Sequence, residues 1–103
     1  GIGPISFKLP QSFALHQNYP SPFNPVTKIR FDIPSNVGNG RDRSVKVIIY
    51  DLLGREVTTL VNEQLRPGSY SVDWDGTGFA SGVYFYSLVT NDFVETKRMV
   101  LIK

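Results

Sequence analysis

The sequence contains no cysteine, and it contains only one histidine, His16. The lack of cysteine excludes disulfide bonds, thiol nucleophiles and cysteine-ligated metal ions. A histidine that binds a metal ion or relays a proton needs partners, and no second histidine exists to serve as one. We therefore interpret His16 as a surface or half-buried strand residue, and we expect no catalytic residue, no cofactor and no metal.

Long apolar runs and a strong excess of one charge are also lacking. Eleven basic residues stand against nine acidic ones, and the formal net charge of +2 gives no strong field toward nucleic acid or a membrane surface. No apolar run approaches the length of a transmembrane span, and the opening "GIGPISFKLP" lacks the pattern of a signal peptide. We expect a domain that binds no nucleic acid and is not inserted in a membrane. If the protein is exported, we expect its N-terminal address on a part of the chain outside this sequence.

Helical periodicity is absent as well, whereas apolar and polar residues alternate through most of the chain. In "VTKIRFDIP", Ile29, Phe31 and Ile33 share one strand face and charged residues share the other. About seven such segments follow one another at roughly ten-residue spacing, with turn residues between them. This predicts an all-β fold, a single immunoglobulin-like antiparallel β-sandwich over residues 13–103. Residues 1–12 are interpreted as a linker, a cloning scar or an added edge strand.

The strand signals differ in strength along the chain. Residues 5–9 and 13–19 are weak strand candidates. The segment "SNVGNGRDR", residues 35–43, is rich in glycine, asparagine and charge and is predicted to be a loop. Residues 51–54 are predicted to join two strands as a hairpin turn, with Gly54 at a positive φ angle.

Candidate sites for chemistry are few. Asp73 and Asp75 flank Trp74 in "DWDGTG" and share one strand face, so they could hold calcium, although solvent-facing acids before a glycine turn are the simpler interpretation. "GNG" and "GTG" are not phosphate cradles, because no helix follows either one. The serines have no positioned base. Catalysis and a small-molecule substrate are therefore not predicted.

The aromatic residues leave one alternative open. Trp74 or Tyr86 could stack on a polysaccharide, as in a carbohydrate- or protein-binding accessory module of a secreted enzyme. In a sandwich, however, aromatic residues at alternate positions mostly fill the core. Both interpretations stand at this point.

Four blocks, in order, carry a family resemblance: "NYPSPFNPVTKIRFDIP", "VIIYDLLGREVTTLV", "LRPGSYSVDWDG" and "ASGVYFYSLVTNDFVETKRMVLIK". The chain resembles the C-terminal sorting domain of the type IX secretion system of Bacteroidetes and their relatives. The motif residues are Pro20, Pro22, Phe23, Asn24 and Pro25; Asp51, Gly54 and Arg55; Pro67 and Gly68; Trp74; Ser81 to Tyr84; and the closing strand from Lys97 to Lys103. The loop at residues 35–43 is longer than the family's hairpin at that place. Parts of the sequence also resemble the immunoglobulin-like domain of flagellar hook-capping proteins, an assembly domain, but that family lacks the Pro-x-Pro-Phe-Asn-Pro block.

The resemblance to sorting domains implies a non-catalytic domain that serves as a secretion signal. It implies that an outer-membrane shuttle and a sortase recognise the domain. It also implies that an N-terminal passenger protein crosses the outer membrane to the cell surface or the medium. The sortase is then expected to cleave between passenger and domain, around or before residues 1–12. The residues implied in recognition are Gly82, Tyr84, Lys97, Arg98, Met99, Val100, Leu101, Ile102 and Lys103.

Each block also has a physical interpretation. The prolines stiffen the segment before the first clear strand, and Phe23 is the large apolar group able to pin that segment to the body. Gly82 is expected to permit close packing or a bulge, and Tyr84 to place its ring in the core with its hydroxyl on a loop carbonyl. In "KRMVLIK", Lys97, Met99, Leu101 and Lys103 share one face and Arg98, Val100 and Ile102 the other. One face is expected to be buried, and a partner is expected to read the strand by strand addition at its edge or end.

Overall fold

The computed structural model describes residues 2–6, 8–35 and 42–103, and these residues form eight β-strands. The strands are β1 (Ile2–Ser6), β2 (Ala14–Leu15), β3 (Val26–Ile33), β4 (Arg43–Tyr50), β5 (Glu56–Leu65), β6 (Gly68–Asp75), β7 (Gly82–Val89) and β8 (Val94–Leu101). The prediction of an all-β fold is confirmed. The described residues include no helix of the length and apolarity that crossing a membrane requires.

The strands form two four-stranded sheets. The first has the order β1-β6-β3-β2 and the second has the order β5-β4-β7-β8. Every neighbouring pair within a sheet is antiparallel. This is the predicted antiparallel sandwich, with one strand more than the seven expected.

The core lies between the two sheets and follows the alternation of the sequence. On β3, Ile29, Phe31 and Ile33 are fully buried, while Lys28 and Arg30 are exposed. The inner face of the second sheet contributes the fully buried Val45, Val47, Ile49, Tyr86 and Leu88. Burying a side chain of this size stabilises the fold by roughly 1.5–3 kcal/mol, so the alternation accounts for the packing of the two sheets.

The two weak strand candidates are displaced from where they were predicted. The first strand is Ile2–Ser6 and not residues 5–9, because Gly3 and Pro4 pair with β6, which leaves β1 at a sheet edge where proline is tolerated. Of residues 13–19, only Ala14–Leu15 form a strand, with an isolated bridge from Tyr19 to Lys28. The predicted loop falls largely on residues 36–41, which lie outside the described residues.

The hairpin between β4 and β5 is confirmed. The Gly54 N–H donates to the Asp51 carbonyl at 3.0 Å, and the Asp51 N–H donates to the Arg55 carbonyl at 2.9 Å. Gly54 has a φ of 83°, as its position in the turn predicted.

Candidate functional site

Most of the motif residues meet at one end of the sandwich, which we call the motif end. It is formed by four segments, residues 20–25, 51–55, 76–84 and 99–103. β7 begins here opposite the last residue of β8, since Gly82 pairs with Leu101. The family motifs that are scattered through the sequence are therefore brought together by the fold.

Phe23 joins the proline-rich segment to β8 through the backbone. Its N–H donates to the Val100 carbonyl at 3.0 Å, and its carbonyl accepts from the Ile102 N–H at 2.9 Å, which makes a parallel bridge to Leu101. The Phe23 side chain is 1% exposed, and its ring lies 5.7 Å from that of Trp74, measured between centroids. The predicted anchoring role of Phe23 is confirmed, and it includes backbone pairing that the sequence did not indicate.

This pairing corrects one expectation about β8. The backbone groups of Val100 and Ile102 on its outer edge are already bonded to Phe23, and the Arg98 carbonyl accepts from the Gln17 side-chain amide at 2.8 Å. Strand addition at the end of β8, as the sequence suggested, would require that Phe23 and Gln17 be displaced.

The β8 side chains alternate in part as expected. Met99 and Leu101 are buried, Val100 is half-buried, and Arg98 and Ile102 are exposed. Lys97, expected on the same face as Met99, is half-buried and lies 3.5 Å from the Glu95 carboxylate. Lys103 is exposed, and its backbone N–H donates to the Ser81 hydroxyl at 3.1 Å.

Gly76 completes the contact between the proline-rich segment and β8. Its N–H donates to the Pro25 carbonyl at 2.7 Å. A Cβ atom built at Gly76 would lie 3.0 Å from Leu101 Cδ2 and 3.2 Å from the Pro25 carbonyl oxygen, closer than ordinary van der Waals contact. In the sequence, Gly76 stands only as part of the predicted glycine turn. Its packing role follows from a close approach between distant segments, and no local signal marks it.

A buried polar network fixes the entry of the proline-rich segment. The Asn18 side-chain amide donates to the Pro20 carbonyl at 3.1 Å and to the Thr27 hydroxyl at 3.0 Å, and the Thr27 hydroxyl donates to the same carbonyl at 3.0 Å. The Tyr86 hydroxyl accepts from the Asn18 N–H at 2.8 Å and donates to the His16 carbonyl at 2.7 Å. Burial raises the pKa of Tyr86 to about 12, so the hydroxyl keeps its proton and remains a donor at neutral pH. Nothing in the sequence around Asn18 and Thr27 indicated that both side chains are buried.

Trp74 lies beneath the motif end in a cluster of aromatic rings. Its centroid is 5.4 Å from that of Phe79 and 5.3 Å from that of Tyr84. The Tyr84 hydroxyl donates to the Ala80 carbonyl at 2.6 Å, which confirms the predicted bond to a loop carbonyl. Trp74 is 3% exposed and Tyr86 is fully buried, so neither ring presents a face on which a polysaccharide could stack.

The Asp51 carboxylate organises the turn between β4 and β5. One oxygen accepts from the Leu53 and Arg55 backbone N–H groups, both at 2.9 Å, and the other accepts from Arg55 Nε at 2.8 Å. The backbone N–H of Arg55 is the main cause that lowers the pKa of Asp51 below its ordinary 3.8. The charged form therefore stabilises the turn above pH 3.8, and this contribution is lost as the pH falls through the lowered pKa.

One expectation about a glycine needs correction, and one motif lies away from the motif end. Gly82 was expected to allow close packing or a bulge, but a Cβ atom there would meet nothing within 4 Å and the β7–β8 register does not shift at this point. Its φ of 154° is what favours glycine. Pro67 and Gly68 lie at the opposite end of the sandwich, where Gly68 pairs with Ile33, the last residue of β3.

The remaining candidates from the sequence are engaged in pairs. His16 lies 3.1 Å from Asp32, and Lys28 lies 2.9 Å from Asp73. The Asp75 carboxylate accepts from the Thr77 N–H at 2.9 Å. Among residues 2–6, 8–35 and 42–103, no group of three or more side chains is arranged to hold a metal ion.

Of the comparisons with known proteins, a family model gives the match. Searches of curated proteins and of solved structures found no match. A family model described as the secretion system C-terminal sorting domain matches residues 17–103, which contain all four segments of the motif end. The chain therefore belongs to the family of C-terminal sorting domains of type IX secretion.

Proposed function

We propose that this domain is recognised at the motif end by the outer-membrane shuttle and the sortase of the type IX secretion system, and that the sortase removes it from an N-terminal passenger. Membership of the family gives the domain the role of a sorting signal and implies export of its passenger to the cell surface or the extracellular space. It also suggests a non-catalytic role, in which the nucleophile for cleavage belongs to the sortase.

One observation carries the proposal of a recognition site. Four sequence segments that bear family motifs converge on one end of the sandwich, and backbone hydrogen bonds join three of them there, from Phe23 to β8 and from Gly76 to Pro25. Positions that only stabilise a sandwich could be spread over both ends. The exposed side chains of Ile102 and Lys103 lie at this end, and the exposed Arg98 directly precedes it on β8. Such a surface suits recognition by side chains on a folded partner.

Export of a reporter tests the proposal. Deletion of β8 would remove the buried Met99 and Leu101 and unfold the domain, so the informative variant changes exposed side chains only. We expect Arg98→Glu combined with Ile102→Glu to leave a passenger–domain fusion in the periplasm of a bacterium that carries type IX secretion. The measurement is the fraction of reporter in the medium and on the cell surface.

The control makes matched changes away from the motif end. Lys46→Glu combined with Val94→Glu alters one exposed cation and one exposed aliphatic residue on β4 and β8, and we expect export at the parental level. Equal export of both variants would contradict recognition at the motif end. Mass spectrometry of the released passenger tests removal by the sortase, with a new C-terminus expected at or before residue 12. A released passenger that still carries the domain would contradict removal.

A further inference from the structure

The turn between β4 and β5 exposes two adjacent leucines. Leu52 is 65% exposed and Leu53 is 78% exposed. Single exposed apolar residues are common on soluble proteins, but two neighbouring leucines at the tip of one turn form a local apolar projection. Neither leucine contributes to the core, so packing within the domain gives no reason for them.

The turn holds this projection in a fixed conformation. The Asp51 carboxylate accepts three hydrogen bonds from the turn, and two backbone bonds close its base. Because the backbone is already ordered, a partner that binds the leucines does not have to pay for immobilising a loop. An apolar tip that is already held in one conformation can therefore enter a pocket of a partner without further ordering of the backbone.

A cavity of about 220 Å³ opens beside the leucines. It lies between the turn and the start of β7, where Ser81 and Gly82 form part of its lining. Since Gly82 has no side chain and Ser81 is small, the space between the turn and the start of β7 stays open. The domain therefore presents an apolar projection and a recess next to each other.

We propose that Leu52 and Leu53 insert into an apolar pocket of a folded protein of the secretion machinery, and that an aliphatic side chain of the same protein fills the recess. This inference rests on the proposed function and names the surface and the partner chemistry that recognition uses. The turn is continuous with the recognition surface, since Ser81 lines the recess and also accepts a hydrogen bond from the Lys103 N–H.

A protein partner fits this surface better than a lipid bilayer does. A bilayer offers mobile acyl chains, which gain nothing from a recess of fixed shape beside the leucines. The Asp51–Arg55 pair at the base of the turn supplies directed polar groups for the rim of an interface. Two leucines without a cluster of basic residues also give only weak membrane affinity.

Replacement of both leucines tests the inference in the passenger–domain fusion. We expect Leu52→Ser with Leu53→Ser to lower the exported fraction about tenfold or more, as loss of a central anchor does. The conservative pair Leu52→Met with Leu53→Met should retain most export, because methionine fills an apolar pocket. The control is Val94→Ser, which removes an exposed apolar residue at the opposite end of the sandwich and should leave export unchanged.

Further measurements separate the outcomes. The Tm of each purified variant should stay within about 3 °C of the parent, since these side chains are exposed. Export of the serine variant at the parental level would overturn this inference, and if Arg98→Glu with Ile102→Glu still blocks export, the proposed function stands without it. If the parent domain, and not the serine variant, floats with vesicles of phosphatidylethanolamine and phosphatidylglycerol, the leucines bind lipid and the protein pocket is wrong.

Discussion

The two ends of the sandwich are closed in different ways. At the motif end, buried rings pack under Trp74, and the segments above them are joined by backbone hydrogen bonds to β8. At the opposite end, half-buried Phe13 and Phe93 stack with centroids 4.9 Å apart, and the Arg43 guanidinium lies over the Phe13 ring and pairs with Asp92. Backbone hydrogen bonds occur at both ends, since the Ser35 N–H donates to the Pro10 carbonyl at the opposite one, but the stacked rings of the opposite end are only half-buried. Substitutions should therefore cost more at the motif end, where a changed contact moves the backbone of several segments.

The largest expected difference comes from phenylalanine. Phe23→Ala removes a fully buried ring beside Trp74, and we expect it to lower the free energy of unfolding by about 3–5 kcal/mol. Phe13→Ala, at the opposite end, removes a half-buried ring and should cost about 1–2 kcal/mol. Urea denaturation of the purified domains measures both. Equal costs would contradict the distinction between the two ends.

A smaller effect is expected from an added methyl group. Gly76→Ala drives a Cβ atom against Leu101 and the Pro25 carbonyl, and it should lower the free energy of unfolding by about 1–3 kcal/mol. The control is Gly3→Ala on edge strand β1, where a Cβ atom meets nothing within 4 Å; we expect a change within about 0.5 kcal/mol. Thermal denaturation followed by circular dichroism distinguishes them. A Gly76→Ala variant as stable as the parent would show that Leu101 and Pro25 shift to accept the methyl group, which contradicts tight packing at the motif end.

The smallest expected difference in the free energy of unfolding is between variants of two tyrosines. The Tyr84 hydroxyl donates to the Ala80 carbonyl at 2.6 Å and the Tyr70 hydroxyl donates to the Arg66 carbonyl at 2.8 Å, each four residues upstream. Tyr84→Phe should lower the free energy of unfolding by about 1 kcal/mol, since its bond is partly buried at the motif end. Tyr70→Phe should cost less, because its bond is exposed to water at the opposite end. A larger loss for Tyr70→Phe would reverse the comparison.

Local patterns predicted the parts of the fold that depend on neighbours in sequence. The alternation around Ile29, Phe31 and Ile33 predicted a strand, and Gly54 predicted a positive φ in a hairpin turn. β1 was displaced because its glycine and proline have little strand propensity of their own. The edge of β6, 63 or more positions away in the register from Ser6↔Ser69 to Ile2↔Val72, supplies the hydrogen bonds that make it a strand.

The candidate site is formed by contacts between segments that are distant in sequence, and no local sequence pattern indicates such contacts. The size of Phe23 and the prolines on either side of it indicated an anchor residue. Nothing in the sequence indicated that its backbone pairs with β8. Asn18 resembles any polar residue of a loop, and only the fold shows that it is buried against Pro20 and Thr27. The motif residues were found because the resemblance marked them, and the fold explains why they belong together.

The contact between Gln17 and Arg98 spans 81 positions of the chain, and the bridge from Phe23 to Leu101 spans nearly as many. Contacts this distant in sequence form late, because the entropy of closing a long loop has to be overcome first. In an incompletely folded chain the same motifs are present, but they lie far apart along the chain and do not yet form a common surface. A receptor that binds the proposed recognition surface would therefore distinguish the folded domain from a chain in which these segments have not yet come together.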